Sequence, residues 1–347
     1  MEPQDPQSRP LDRLGRPQKS LRISVTDRCN LRCGYCMPEE EYTWLQKSKI
    51  LSFEEISSLV DAFCAQGTTR LRLTGGEPLL RRDLERLVAQ LAAKEAVEDL
   101  ALTTNALELP RYAQRLRDAG LDRLTISLDT LQADRYLELT RRDGLAQALE
   151  GIEAAHGAGF QGTKVNTVVL RGTNEDELPE LLEFGRARGL EMRFIEYMDV
   201  GGATRWRIED VVSREEILAN LERHFGPIEA LQHGERTAAP AERFRLADGT
   251  RFGIIASTTQ PFCSACDRSR LTADGMWYTC LYGREGTDLA GPLRSGASLT
   301  QLRETIGGRW REREDRGAEE RLSADRVAFP ADATRRDPHF EMHTRGG

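Results

Sequence analysis

Between residues 20 and 225 of this 347-residue chain, short runs of alternating polar and apolar residues are each followed by an amphipathic helical run. LRISVT at 21–26 precedes a helix from Ser52, RLRLT at 70–74 one from Arg82, and DLALTT at 99–104 one near Pro110. RLTISLD at 123–129, TKVNTVVL at 163–170 and EMRFIEY at 191–197 continue the series. Such alternation favours parallel pairing, because a parallel strand must return through a crossover that a helix fills. The expected fold class is α/β, either a partial barrel or an open doubly wound sheet. Beyond residue 225 lie candidate strands around 243–247 and 251–256 and the charged segment WREREDRGAEER. The expected organisation is a polar tail over 1–19, a barrel over 20–232, and an extension over 233–347 that starts at the loop HGERTAAPAER.

Strand faces bear on what the sheet encloses. Period two sets Arg22, Ser24 and Thr26 on one face of the first strand, and Arg70, Arg72 and Thr74 on one face of the second. Leu71 and Leu73 point the other way, towards the helices. Barrel interiors are ordinarily packed with branched aliphatics, so a lumen holding Arg22, Arg72, Lys164 and Arg193 costs several kcal/mol per unpaired cation. A bound polyanion is the expected remedy; for any one residue, a solvated strand end or a carboxylate partner is the alternative. The polar strand ends Thr26-Asp27, Thr74-Gly75-Gly76-Glu77-Pro78, Thr103-Thr104-Asn105, Ser127-Leu128-Asp129 and Glu196-Tyr197-Met198 form one rim, at the C-terminal strand ends where such folds bind ligands.

Six of the seven cysteines form two triplets, Cys29-x3-Cys33-x2-Cys36 and Cys263-x2-Cys266-x13-Cys280. Iron–sulfur clusters take four thiolates as a rule, and structural zinc takes four ligands, so each triplet leaves one position open. The second triplet is equally three-quarters of a zinc ribbon. Cys64, alone in a helical run, reads as a small buried hydrophobe. A net charge of −7 and a pI near 5.5 argue against nucleic-acid or anionic-membrane partners. No apolar run is long enough to span a bilayer, so the expected location is the cytoplasm, where clustered cysteines favour metal over disulfides.

The first triplet with Tyr35 before its last cysteine, together with GGEP after the second strand, resembles the signature of the radical S-adenosylmethionine (SAM) superfamily. LRISVTDRCN, RLTGGEPLLRRD, RFIEYM, the run Cys266-Asp-Arg268-Ser269-Arg270-Leu and the terminal Gly346-Gly347 resemble, more narrowly, the GTP 3′,8-cyclase family (molybdenum cofactor biosynthesis protein A). The likeness runs from about residue 11 to 282 and returns at the last two residues.

The resemblance implies a partial (βα)6 barrel of the TIM type with a C-terminal extension carrying a second iron–sulfur cluster. It implies a lyase that binds two [4Fe–4S] clusters and SAM, and that converts GTP to (8S)-3′,8-cyclo-7,8-dihydroguanosine 5′-triphosphate, the first step of molybdopterin synthesis. Cys29, Cys33 and Cys36 would hold the SAM-cleaving cluster, and Cys263, Cys266 and Cys280 the second, whose open iron binds guanine. Tyr35, Gly76, Ser127 and Met198 would hold SAM. Arg22, Arg72, Thr103, Lys164, Arg193, Arg268, Ser269 and Arg270 would grip GTP, and Gly346 and Gly347 would form a tail reaching the active site. No side chain is implied as a nucleophile. The implied partners are an electron donor such as flavodoxin or ferredoxin and, for the product, cyclic pyranopterin monophosphate synthase; a homodimer is compatible with the family. Two departures stand out: Ala106 replaces the family's usual glycine, and 311–339 is unusually charged. The alternatives are a peptide-modifying radical SAM enzyme with an auxiliary cluster, and a non-catalytic iron–sulfur or zinc module.

Overall fold

The computed structural model describes residues 9–200, 206–231, 238–322 and 337–346. Six strand–helix units form its centre. They run β1 (Ser20–Ser24), α1 (Phe53–Cys64), β2 (Arg70–Thr74), α2 (Leu84–Ala92), β3 (Asp99–Thr104), α3 (Leu109–Asp118), and β4 (Arg123–Ser127) with two helices, α4 (Ala133–Thr140) and α5 (Leu145–Gly157). β5 (Lys164–Val169), α6 (Leu178–Ala187), β6 (Glu191–Glu196) and α7 (Arg214–Phe225) complete them. β1 to β6 pair in sequence order and all in parallel.

Local chemistry sets the boundaries. Ser52 and Glu55 make a reciprocal capping box at α1, as Ser213 and Glu216 do at α7, each pair satisfying helix N-terminal amides. Pro110 and Pro179 sit in the first turns of α3 and α6, where a missing N–H costs nothing. α2 starts at Leu84, two residues later than its periodicity suggests, because Pro78–Leu80 form a 3-10 turn and Asp83 takes a left-handed φ of 59°. Leu21, Leu71, Leu73, Leu102, Leu124 and Ile126 are buried on the helix-facing side of the sheet, each contributing about 1.5–3 kcal/mol.

The extension joins this same sheet. β7 (Glu229–Leu231), β8 (Glu242–Arg245) and β9 (Arg251–Ile255) add to one end, with β9 parallel to β6. β10 (Arg268–Leu271), β11 (Met276–Tyr278) and β12 (Thr287–Asp288) add to the other, with β10 parallel to β1. The parallel run is therefore β10-β1-β2-β3-β4-β5-β6-β9, open between its first and last strands. Residues 256–267 must pass from one end of that run to the other, and they carry Cys263 and Cys266 across the opening.

After β12 come α8 (Ala290–Arg294), α9 (Leu299–Arg311), α10 (Gly317–Leu322) and, in the tail, α11 (Met342–Arg345). α9 packs on α1, and its buried Trp310 donates to the Arg16 carbonyl at 3.0 Å, tying the segment before β1 to α9.

Ala106 sits after β3 with a left-handed φ of 69°, fully buried. Its carbonyl and methyl press on Gly151 of α5, on the helix side of the sheet. A Cβ at Gly151 would run into the Ala106 carbonyl. We expect Gly151→Ala to destabilise the protein by about 1–3 kcal/mol through overpacking, measured by urea denaturation; an unchanged midpoint would show that α5 is free to shift.

Candidate functional site

All six clustered cysteines line one cavity of about 390 Å³ inside the parallel run. All are free thiols.

The first triplet lies in the loop after β1. Its turn is closed by Cys36 N and Met37 N donating to the Cys33 carbonyl at 3.0 and 2.7 Å. The Gly75-Gly76-Glu77 strand end runs against the start of this loop, with Gly76 N on Thr26 O at 2.9 Å and Glu77 N on Arg28 O at 2.7 Å. Side chains cannot be accommodated there: Cβ atoms at Gly75 and Gly76 would strike the Thr26 and Arg28 carbonyls, and Gly75 has a φ of 146°. Glu77 ties neighbouring strand ends together, accepting from Leu79 N at 3.0 Å, Thr104 Oγ1 at 2.8 Å and Asn105 N at 2.8 Å. Asn105 in turn donates to Asn30 beside Cys29 at 2.8 Å. On the far rim Tyr35 donates to Asp129 at 2.7 Å, and Val168 N donates to the same carboxylate at 2.8 Å. Burial pushes Glu77 up to about 7 and Asp129 up to about 6.

Desolvation raises the first three thiols, Cys29 to about 11 and Cys33 and Cys36 beyond the ordinary range. Buried thiolates here need a positive partner, which iron supplies, so the donor set fits a cluster. Among the described residues no three His, Cys, Asp or Glu side chains converge as a single ion requires; thiolates bound to separate irons of a cluster need no such convergence. In the second triplet burial raises Cys280 to about 11. Cys266 is pushed up by burial too, yet Arg268 and Arg313 outweigh this and bring it down to about 7.

Between the triplets the lumen is cationic. Arg22, Arg72, Arg193, Arg268 and Arg270 line the cavity. Arg193 pairs with Glu191 at 2.6 Å. Among the described residues Arg72 has only the hydroxyls of Thr103 and Thr125, at 3.3 and 2.9 Å. Among the described residues, none of Arg22, Arg72, Arg268 and Arg270 pairs with a carboxylate. Burial, followed by repulsion from neighbouring guanidiniums, pushes Arg22 well down, Arg72 to about 10 and Arg270 to about 9.

The tail reaches this cluster. The Gly346 carbonyl accepts from Arg22 at 3.1 Å and from Arg270, and the Arg345 carbonyl accepts from Arg270 at 3.1 Å. Gly346 has a φ of 69°, and a Cβ there would strike Thr74. Arg345 anchors the segment through the Leu281 carbonyl at 2.6 Å. His343 lines the cavity and packs edge-on against Tyr42 and Trp44; burial pushes it down to about 3, so it is neutral.

A family model described as the radical SAM superfamily matches residues 23–185, and one described as Molybdenum Cofactor Synthesis C matches 190–319. A protein named GTP 3′,8-cyclase 3 from Mycobacterium bovis is 51% identical over 97% of this chain and 90% of its own length. A Staphylococcus aureus protein named GTP 3′,8-cyclase is 40% identical over 90% of this chain and 93% of its own. The chain belongs to the GTP 3′,8-cyclase family. It shares the fold of Streptococcus suis SuiB, solved bound to precursor peptide SuiA, with a TM-score of 0.58, 14% identity, and coverage of 93% of this chain and 77% of that one.

With the family in hand, most of the anticipated residues are found on the cavity wall: Tyr35, Gly76, Ser127, Met198, Arg22, Arg72, Thr103, Arg193, Arg268, Arg270 and the six cysteines. Lys164 and Ser269 are not among the lining residues. Lys164 sits at the N-terminal end of β5, where burial and the nearby Arg193 and Arg123 push it down to about 8. Ser269 alternates with Arg268 and Arg270, and it pairs in register with Leu21, so its hydroxyl points to the helix side, buried without a partner among the described residues. Gly347 lies outside the described residues, as do 323–336 of the charged segment. Ala106 is not on the cavity wall either.

Glu77 gives a pH signature. Its folded pKa, near 7, lies above its ordinary value of 4.5. A raised acid binds more protons folded than unfolded, so its contribution is present below about 4.5 and lost as pH rises through about 7. In cluster-free protein, Glu77→Gln should flatten the fall in stability over that window, as read by denaturant titration at several pH values. A slope identical to the parent's would assign the dependence to other groups.

Proposed function

We propose that this chain cyclises GTP to (8S)-3′,8-cyclo-7,8-dihydroguanosine 5′-triphosphate, the first step of molybdenum cofactor synthesis, using two iron–sulfur clusters at opposite sides of one lumen. The carrying observation is that two free-thiol triplets line a single cavity in which, among the described residues, Arg22, Arg72, Arg268 and Arg270 have no carboxylate partner. Such a lumen suits a substrate with a polyanionic end and a heteroaromatic end, which is what GTP is.

Cys29, Cys33 and Cys36 would hold the cluster that cleaves SAM; Tyr35, Gly76, Ser127 and Met198 would surround SAM; and Cys263, Cys266 and Cys280 would hold the second cluster. When bound, these groups would supply hydrogen-atom abstraction from the ribose of GTP, with the electron coming from the external donor. The protein's own part is to bind, orient and exclude water. Arg22, Arg72, Arg268 and Arg270 carry the triphosphate, with Thr103 holding the Arg72 fork in place. Arg193, Lys164 and Ser269 belong to the same proposed GTP region. Of these three, Lys164 adds a charge from the strand base and Ser269 only a strand position between two arginines. The cofactor carries the hard chemistry and the barrel fixes the geometry in which it acts. Gly346 and Gly347 complete the site as a tail.

Residues 20–232 would act as the SAM-cleaving unit and 233–347 as the part that presents the second cluster, although both contribute to one sheet. Among the described residues no helix is long and apolar enough to cross a membrane. The reading includes a cytoplasmic setting, which keeps six thiols reduced, an external one-electron donor of the flavodoxin or ferredoxin kind, and delivery of product to cyclic pyranopterin monophosphate synthase.

Anaerobic protein supplied with SAM, reductant and GTP should release 5′-deoxyadenosine and the cyclised nucleotide, and iron analysis should give two clusters per chain. Zinc, or one cluster alone, would sink the two-cluster reading. Cys280→Ala should keep SAM binding and abolish cyclisation; normal turnover would remove the second cluster from the reaction. Arg72→Ala should weaken GTP binding by about 1.5–3 kcal/mol, the worth of a charge-assisted contact, and an unchanged affinity by equilibrium dialysis would place it outside the GTP contacts.

A further inference from the structure

Behind the second triplet lies a buried ionic network built from both ends of the chain. Asp12, Arg16 and Arg313 have side chains at most 2% exposed, and Asp315 is 26% exposed. Arg16 donates to Asp12 at 2.5 Å, to the Cys263 carbonyl at 2.9 Å and to the Asp315 carbonyl at 2.9 Å. Arg313 donates to the Cys266 carbonyl at 2.8 Å and to the Asp315 carboxylate at 3.1 and 3.2 Å, lies 3.8 Å from Asp12, and stacks 4.5 Å above Trp310. Asp315 accepts from Thr279, the residue before Cys280, at 2.8 Å. Each cysteine of the triplet is thus held at its own carbonyl or its neighbour by one member of the network.

We infer that Asp12, Arg16, Arg313 and Asp315 are positioning residues for the second cluster: they fix the three cysteines and set the charge that the cluster feels on reduction. This rests on the two-cluster reading above. Burying four charges is expensive unless they are paired, and a pair placed only for stability has no need to contact all three cysteine segments. Cluster potentials depend on net charge, hydrogen bonds and solvent exposure around the sulfurs. A cation beside the thiolates favours the reduced, more negative cluster, and an anion opposes it.

Charge sign gives the test. EPR-monitored redox titration of the reconstituted protein follows both clusters. Arg313→Gln should lower the midpoint of the second cluster, Asp12→Asn should raise it, and Arg313→Lys should return it towards the parent value, while the first cluster stays unmoved in all three. A purely structural role would lose the second cluster or shift it in the same direction in both neutral variants, and that result overturns the inference, as does a second-cluster midpoint unmoved by either. Should Arg313→Gln fail to fold, Asp12→Asn and Asp315→Asn carry the test together, since each removes a negative charge and should raise the midpoint; no shift, or a fall, overturns it. Only one cluster's iron in the parent protein would sink the two-cluster reading and this inference with it, whereas two clusters in the parent with unmoved midpoints in the variants sinks the inference alone.

Discussion

A desolvated lumen holding several guanidiniums that, among the described residues, have no carboxylate partner is the constraint on which the rest of this molecule depends. The chain carries a net charge of −7 and Glu77, Asp129 and Glu196 line the same cavity, yet among the described residues none of Arg22, Arg72, Arg268 and Arg270 forms an ion pair with a carboxylate. Packing of this kind is unfavourable in isolation, because burial and mutual repulsion act in the same direction. It is tolerable where the surrounding sheet is rigid and where an anionic ligand arrives to complete the balance. The aliphatic layer between strands and helices provides the rigidity: Leu21, Leu71, Leu73, Leu102 and Leu124 are all essentially inaccessible to solvent.

Sheet order then explains how two cysteine groups so distant in sequence share that space. β10 lies beside β1 and β9 beside β6, so the segment between β9 and β10 has no route except across the mouth left by an incomplete barrel. The first triplet follows β1 at the rim, and the second is delivered by that crossing. A closed barrel would have neither the opening nor the crossing. The incompleteness of the barrel is what gives room for a second cysteine triplet opposite the first.

Much of this was legible in the sequence wherever a short-range period carries the information. Alternation in LRIS and RLRLT places Arg22 and Arg72 in the lumen, and the spacing of Cys29, Cys33 and Cys36 marks an open site. The same rule, applied to residues 268–271, separates Ser269 from its two neighbours, but it needs the knowledge that this stretch is a strand, and its charges mask that. Lys164 obeys the alternation and misses the cavity wall because face alone does not give height along a strand. The network of Asp12, Arg16, Arg313 and Asp315 had no readable signal: its halves are some three hundred residues apart in segments whose composition resembles solvated surface. Opposite charges that find one another in the core look, along the chain, like charges that find water.

The tail adds the last step. Gly346 offers a carbonyl to Arg22 and to Arg270, so backbone dipoles take up part of the cationic demand that a triphosphate would otherwise meet alone. A guanidinium has five N–H donors in a fixed fork, and among the described residues the tail carbonyls engage Nη1 of each of these two side chains, which leaves the other N–H groups for a further acceptor. Tail and nucleotide can therefore share the same arginines without excluding one another, provided the tail backbone approaches closely and carries no side chain into the space beside Thr74. Glycine at 346 satisfies both conditions, since the left-handed turn and the contact with Thr74 each refuse a Cβ. The tail thereby supplies a fixed neutral acceptor for two of the lumen's guanidiniums.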